Sequence, residues 1–100
     1  MTKEAMIPYL SAKELRIPRI AQGTWPLKGE ACRNIVRTAL DQGIRFIDTA
    51  EYYKNEIEVG QAIRESSVDR EAIILGTKIW DTQCKAEDMI RAVEECLRRL

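Results

Sequence analysis

The sequence predicts an α/β chain of about three consecutive βα units, and two observations carry that prediction. Short apolar runs of strand length, Phe46-Ile47-Asp48 and Ile73 to Lys78, each end in a charged residue. Each is then followed by a segment whose apolar residues recur at helical spacing. In parallel βα architectures, chemistry sits at the C-terminal ends of strands and in the loops just after them, so these charged ends are the first place to look for function.

Taken in order, residues 6–18 hold two short apolar stretches, Ile7 to Leu10 and Leu15 to Ile17. The intervening Ser-Ala-Lys-Glu lacks the Asn-Gly or Asp-Gly that marks a tight hairpin. Ile20 to Thr24 reads as the first strand of the repeating units, with Gly23 leaving room for close approach to the backbone. Glu30 to Gln42 reads as the first helix, with Ala31, Ile35 and Ala39 on one stripe, Val36 and Leu40 beside it, and Gly43 as its stop. Arg45 to Asp48 is the second strand. Asn55 opens the second helix, paired with Glu58 as a cap, and Val59, Ala62 and Ile63 supply its inward stripe. Ser66 to Arg70 breaks that pattern, and Ile73 to Lys78 is the third strand. Ala86, Met89, Ile90, Val93, Leu97 and Leu100 then form the clearest helical stripe, with Glu87 and Asp88 in its first turn and Arg98 and Arg99 in its last, both favourable to the helix dipole.

Sixteen basic and sixteen acidic residues are scattered through the 100 residues and cancel. Without a basic stripe or a charge block, a nucleic-acid or membrane-surface partner is not expected. No apolar run is long enough for a membrane span, the N-terminal residues carry no signal-peptide core, and a cytoplasmic protein is the expectation. Cys32, Cys84 and Cys96 are odd in number and widely spaced, and histidine is absent, so free thiols are expected rather than a zinc site or a disulfide framework.

The stretch Asp48 to Glu56, DTAEYYKNE, is the densest in functional groups. A buried lysine or aspartate alone is expensive, but strand-end residues on neighbouring parallel strands can pair the two. Side chains alternate along a strand, so Ile74, Gly76 and Lys78 share one face, and Lys78 can point into the same site as Asp48. A free phenol keeps its proton to about pH 10, so a tyrosine that donates one near neutrality needs a cation beside it. Asp48, Lys78 and a tyrosine therefore make a candidate proton-donating set, with Tyr52 and Tyr53 both in range. Trp25 and Trp80 follow the first and third strands at the same end, where large rings suit the wall of an apolar substrate pocket.

Four blocks in order and spacing, GTWPLKG (23–29), ALDQGIRFIDTA (39–50), YKNEIEVGQAI (53–63) and TKIW (77–80), resemble the N-terminal part of the aldo-keto reductases, and the resemblance runs from about Ile17 to Leu100. It implies the N-terminal three βα units of a TIM (β/α)8 barrel, preceded by a β-hairpin over residues 1–18. It also implies reduction of a small-molecule aldehyde or ketone with NADPH, or alternatively NADH, as hydride donor. By the family's spacing Tyr53 is the general acid, supported by Lys78 and Asp48. Gly23, Thr24, Trp25 and Asp48 fall on the nicotinamide side, Trp25 and Trp80 on the substrate side, and no metal is involved. Tyr52 is left as a wall or packing residue, and Asn55-Glu56 as a helix start. The chain departs from the family in having no carbonyl-orienting histidine and no residues for most of the cofactor. A barrel of this type needs about 250 residues, so one hundred are expected to be a partial barrel: inactive alone, and either associating or loosely folded until the remaining units cover it. The competing readings are a non-catalytic binding or regulatory protein on the same scaffold, and an inert truncated chain.

Overall fold

A computed structural model describes residues 7–80 and 85–100. The chain opens with an antiparallel hairpin, β1 (Tyr9–Ala12) and β2 (Leu15–Pro18), in register from Tyr9 opposite Pro18 to Ala12 opposite Leu15. Its turn places Lys13 at φ 56°, a left-handed conformation that lysine rarely signals and Asn or Gly adopts more easily. Of the two strands only Pro18 is buried, and the Arg16 guanidinium covers the Tyr9 ring 4.5 Å from its centroid.

Three parallel strands follow, β3 (Gln22–Gly23), β4 (Phe46–Asp48) and β5 (Ile74–Gly76), in the order β3-β4-β5. Gly23 lies opposite Asp48, and Asp48 opposite Gly76. Between and after them run α1 (Gly29–Asp41), α2 (Glu56–Glu65) and α3 (Ala86–Arg99). The strands are shorter than the apolar runs that announce them, because only residues with a ladder partner are paired. Backbone alignment nonetheless continues past β5, with Glu51 N–H donating to Lys78 O at 2.9 Å.

One face of the sheet is closed by α1 and α2. Cys32, Val36 and Leu40 of α1, Val59 and Ala62 of α2 and Ile47 of β4 are fully buried, with Ile63 and Ile73 nearly so. The buried stripe of α1 is therefore Cys32-Val36-Leu40 with Ala39, and the expected Ala31 and Ile35 are exposed. Both stripes are apolar at helical spacing, and only the one facing Ile47 finds a partner. Gly43, at φ 99°, ends α1 as expected: its N–H reaches Leu40 O and that of Ile44 reaches Ala39 O, pairing the last carbonyls.

Two further expectations are corrected. Asn55 precedes α2 but makes no side-chain cap with it, so the Asn55/Glu58 pair does not form, because the Asn55 amide is engaged elsewhere. In α3 the buried residues are Ala92 and Cys96, while Met89, Ile90, Val93 and Leu97 are 42 to 73% exposed. The contact of α3 with α2 is made by small residues at close range. A Cβ on Gly60 would sit 2.2 Å from Arg99 O, so only glycine permits that approach.

Candidate active site

The other face of the sheet carries Phe46, Asp48, Ile74 and Gly76. A Cβ on Gly76 would stand 3.3 Å from the Phe46 ring and 3.5 Å from Asp48 Oδ1, which places the three on one side. Alternation then brings Lys78 to that side, two residues past β5. Its ammonium donates to Asp48 Oδ1 at 2.7 Å and to Thr49 O at 2.9 Å. The pairing expected of the two strand ends is thus present. Both side chains are partly open to solvent, 55% for Lys78 and 37% for Asp48, so the ion pair adds little stability and its effect is to aim the ammonium.

Tyr53 arrives on a short 3-10 turn, Glu51–Tyr53, that ends where Lys54 takes φ 59°. Its ring centroid lies 5.5 Å from Lys78 Nζ. The Lys28 ammonium hydrogen-bonds Tyr53 O, tying the loop after β3 to the turn. The cluster thus sets one phenol against one aimed cation at the C-terminal ends of two adjacent parallel strands.

Four aromatic rings wall this end. Trp25 stacks on Tyr52 at 5.8 Å and tilts against Tyr53 at 5.4 Å, and Tyr52 meets Trp80 at 5.0 Å. Tyr52, expected as a wall or packing residue, therefore joins the two tryptophans, and Trp25 and Tyr52 remain half-exposed. Lys54 lies over the Trp80 ring, 4.8 Å from its centroid. A polar cavity of about 390 Å³ opens behind this wall, among Glu51, Lys54, Glu56, Trp80 and Arg99.

The residues expected on the nicotinamide side divide into two groups. Gly23 is exposed, with no atom within 4 Å of where a Cβ would be, and Trp25 and Asp48 flank that opening. An open strand end beside an exposed ring and a carboxylate fits the flat nicotinamide end of the cofactor. Thr24 is fully buried, and its hydroxyl donates to Asp48 O at 3.0 Å, so its side chain lies below the site.

Two residues read as a plain helix start do more than start a helix. The buried Asn55 amide joins the loops after β3 and β4, through Thr24 O, Leu27 O and Thr49 Oγ1. Glu56, 3% exposed, accepts from Thr77 Oγ1 at 2.6 Å and pairs with Arg99 at 2.7 Å. Arg99 also approaches Glu51 Oε2 at 3.7 Å, and its guanidinium is pushed upward in pKa by the hydrogen bond and charge of Glu56 against the cost of burial. Apart from Thr49, six residues before Asn55, the hydrogen-bond partners of Asn55 and Glu56 are 21 to 43 residues away in the chain, beyond the reach of any local pattern. Lys28 was missed for the same reason.

The thiols of Cys32 and Cys96 are free and buried. Burial pushes each up to about 11; Glu58 adds to this at Cys32, and the Glu56 hydrogen bond at Cys96. The expected free thiol of Cys84 lies outside the described residues. Among the described residues no three His, Cys, Asp or Glu side chains gather as a metal site, and no helix is long and apolar enough to cross a membrane.

A parallel βα sheet with its charged cluster at the strand C-termini defines a parallel α/β chain with a site at its strand ends. Comparison with known proteins makes the class specific: residues 19–100 match the aldo/keto reductase family, and the chain belongs to it. It is 46% identical over 85 residues to glycerol 2-dehydrogenase (NADP(+)) of Saccharomyces cerevisiae, covering 85% of this chain and 27% of that protein. It is 41% identical over 86 residues to the methylglyoxal reductase DkgB of Salmonella typhi, covering 86% of this chain and 32% of the relative. The crystal structure of a Bombyx mori aldo-keto reductase in complex with NADP superposes with a TM-score of 0.84 at 31% identity, covering 94% of this chain and 34% of that one. The chain thus spans about a third or less of the length of these relatives, and its fold is that of the N-terminal three βα units of a TIM (β/α)8 barrel preceded by a hairpin.

Proposed function

We propose that this chain supplies the proton-donating half of an NAD(P)H-dependent reductase acting on small aldehydes or ketones in the cytoplasm, as the N-terminal part of a longer (β/α)8 enzyme. The observation that carries the proposal is the Lys78 ammonium, 2.7 Å from Asp48 Oδ1 and 5.5 Å from the Tyr53 ring centroid, at the mouth of the parallel strands. Membership of the family and the names of the relatives support it.

When bound, the reduced nicotinamide supplies a hydride to the carbonyl carbon. Tyr53 holds the proton destined for the carbonyl oxygen and releases it as negative charge develops there. Lys78 stabilises the phenolate left behind, and Asp48 with Thr49 O holds the ammonium in place beside the ring. Gly23, Trp25 and Asp48 would border the nicotinamide, and Thr24 holds the Asp48 backbone from beneath. Trp25 and Trp80, bridged by Tyr52, would exclude water from the apolar part of the substrate.

The test is Tyr53→Phe in the longer protein. It deletes one hydroxyl and should lower kcat by about 10²- to 10⁴-fold with cofactor binding and fold retained. Turnover within twofold of the parent would remove Tyr53 from the role of acid.

A further inference from the structure

We propose that Asn55 is a positioning residue for this site, acting through Thr49 on the Lys78 ammonium and through the loop after β3 on Trp25. The inference rests on the reading of Tyr53, Lys78 and Asp48 given above. Asn55 stands at the helix position where an asparagine ordinarily bonds the first free N–H groups of its own helix. Here it makes no such bond, and its fully buried amide points away from α2. Oδ1 accepts from Thr49 Oγ1 at 2.6 Å, while Nδ2 donates to Thr24 O at 3.0 Å and to Leu27 O at 3.1 Å. The side chain thus gives up a local cap to join two loops that are remote in sequence.

Both loops end on the reacting cluster. Thr49 O is one of two acceptors that aim the Lys78 ammonium, and the Thr49 peptide is fixed by its N–H on Gly76 O at 2.8 Å and by its hydroxyl on Asn55. Between the two carbonyls that Asn55 holds lies Trp25, whose ring packs 5.4 Å from that of Tyr53. On the opposite side Glu56 takes the hydroxyl of Thr77, the residue just before Lys78. The first two residues at the start of α2 therefore set the ends of all three parallel strands. Small misplacements of a proton donor cost rate steeply, because the reacting atoms must be aligned within tenths of an ångström.

Asn55→Asp removes both donations: its carboxylate still accepts from Thr49 Oγ1 but donates to neither Thr24 O nor Leu27 O, which it then repels. In the longer protein, kcat and KM for the carbonyl substrate are measured for Asn55→Asp alone and combined with Tyr53→Phe, alongside thermal melts. The expected result is a fall in kcat of about 10- to 100-fold with KM changed less than about threefold. On the Tyr53→Phe background the further loss should shrink to under about threefold, since two residues that act on one step are not additive. A kcat within twofold of the parent, or the same fractional loss in both backgrounds, overturns the proposal and leaves Asn55 a purely structural residue. If Asn55→Asp does not fold, Thr49→Val, which deletes the hydroxyl Asn55 accepts from, should lower kcat about threefold or more with the same dependence on background, and no loss overturns the proposal. Parent-like turnover of Tyr53→Phe alone is a separate outcome: it refutes the acid assignment, and the positioning role falls with it.

Discussion

The two sides of the sheet's helical layer share a sequence signal and differ in outcome. The stripe on α1 and the inward residues of α2 close over Ile47, and Leu40, Val36 and Val59 are fully buried there. The stripe on α3 is the most regular in the chain, yet Leu97 is 73% exposed. Val93 and Leu97 instead border an apolar groove of about 420 Å³ with Leu75, Ile79 and Leu100. Amphipathic spacing therefore reports a face able to be buried, and the partner opposite decides whether it is. α1 and α2 have Ile47 and each other, while α3 touches α2 through Arg99 against Gly60 and Cys96 against Glu56.

The largest effect on this contrast should come from Ile47→Ala. Truncating a fully buried side chain costs about 2–5 kcal/mol, whereas Leu97→Ala in the hundred-residue chain should stay within about 0.5 kcal/mol. In the longer protein proposed above, further βα units would cover the groove, and Leu97→Ala should then approach the cost of Ile47→Ala. Chemical denaturation of both variants in both chains checks this, and a small Leu97 cost in the longer protein would contradict the partial-barrel reading.

Gly60→Ala should come next, at about 1–3 kcal/mol, because its Cβ meets the backbone carbonyl of Arg99 rather than a movable side-chain tip. Hydrogen exchange should locate the damage in α3 and leave α1 protected. Uniform loss of protection would mean that α3 is not an independently docked element.

A smaller, pH-dependent effect sharpens the same comparison. Cys32 and Cys96 are pushed from 9.0 up to about 11, so the folded chain holds their protons more tightly than the unfolded chain. The resulting stability is fully present below pH 9 and is lost as pH rises from about 9 through about 11. Stability followed over that range should fall less steeply in Cys32→Ala than in the parent, and both thiols should resist alkylation at pH 8. Rapid alkylation of Cys32 in the native protein would show that the α1 layer opens.

The βα order, the helices and the meeting of Lys78 with Asp48 beside Tyr53 were legible because each follows from local period or from the position of strand ends. What was not legible depends on partners distant in the chain. Asn55 carries the residue type of a cap, and nothing within a turn of it reveals that its amide serves Thr24, Leu27 and Thr49. Lys28 on Tyr53 O likewise carries no short-range sign, whereas Lys13 in the hairpin turn takes a local conformation that its residue type does not announce. On α1, two apolar stripes lay side by side, and only Ile47 across the interface selected Cys32-Val36-Leu40.

The strand-end cluster differs from both helical regions in that its Lys78 ammonium is held by polar contacts to Asp48 and Thr49, so it can be removed without unfolding the layer beneath. Lys78→Met tests it most directly, since it keeps an unbranched chain of nearly the same length and removes the ammonium that faces the Tyr53 ring. With an NADPH-dependent aldehyde assay in the longer protein, kcat should fall by about 10²-fold or more while the melting temperature stays near that of the parent. Full turnover in a Lys78→Met protein that folds normally would contradict the assignment of this cluster as the site of proton donation.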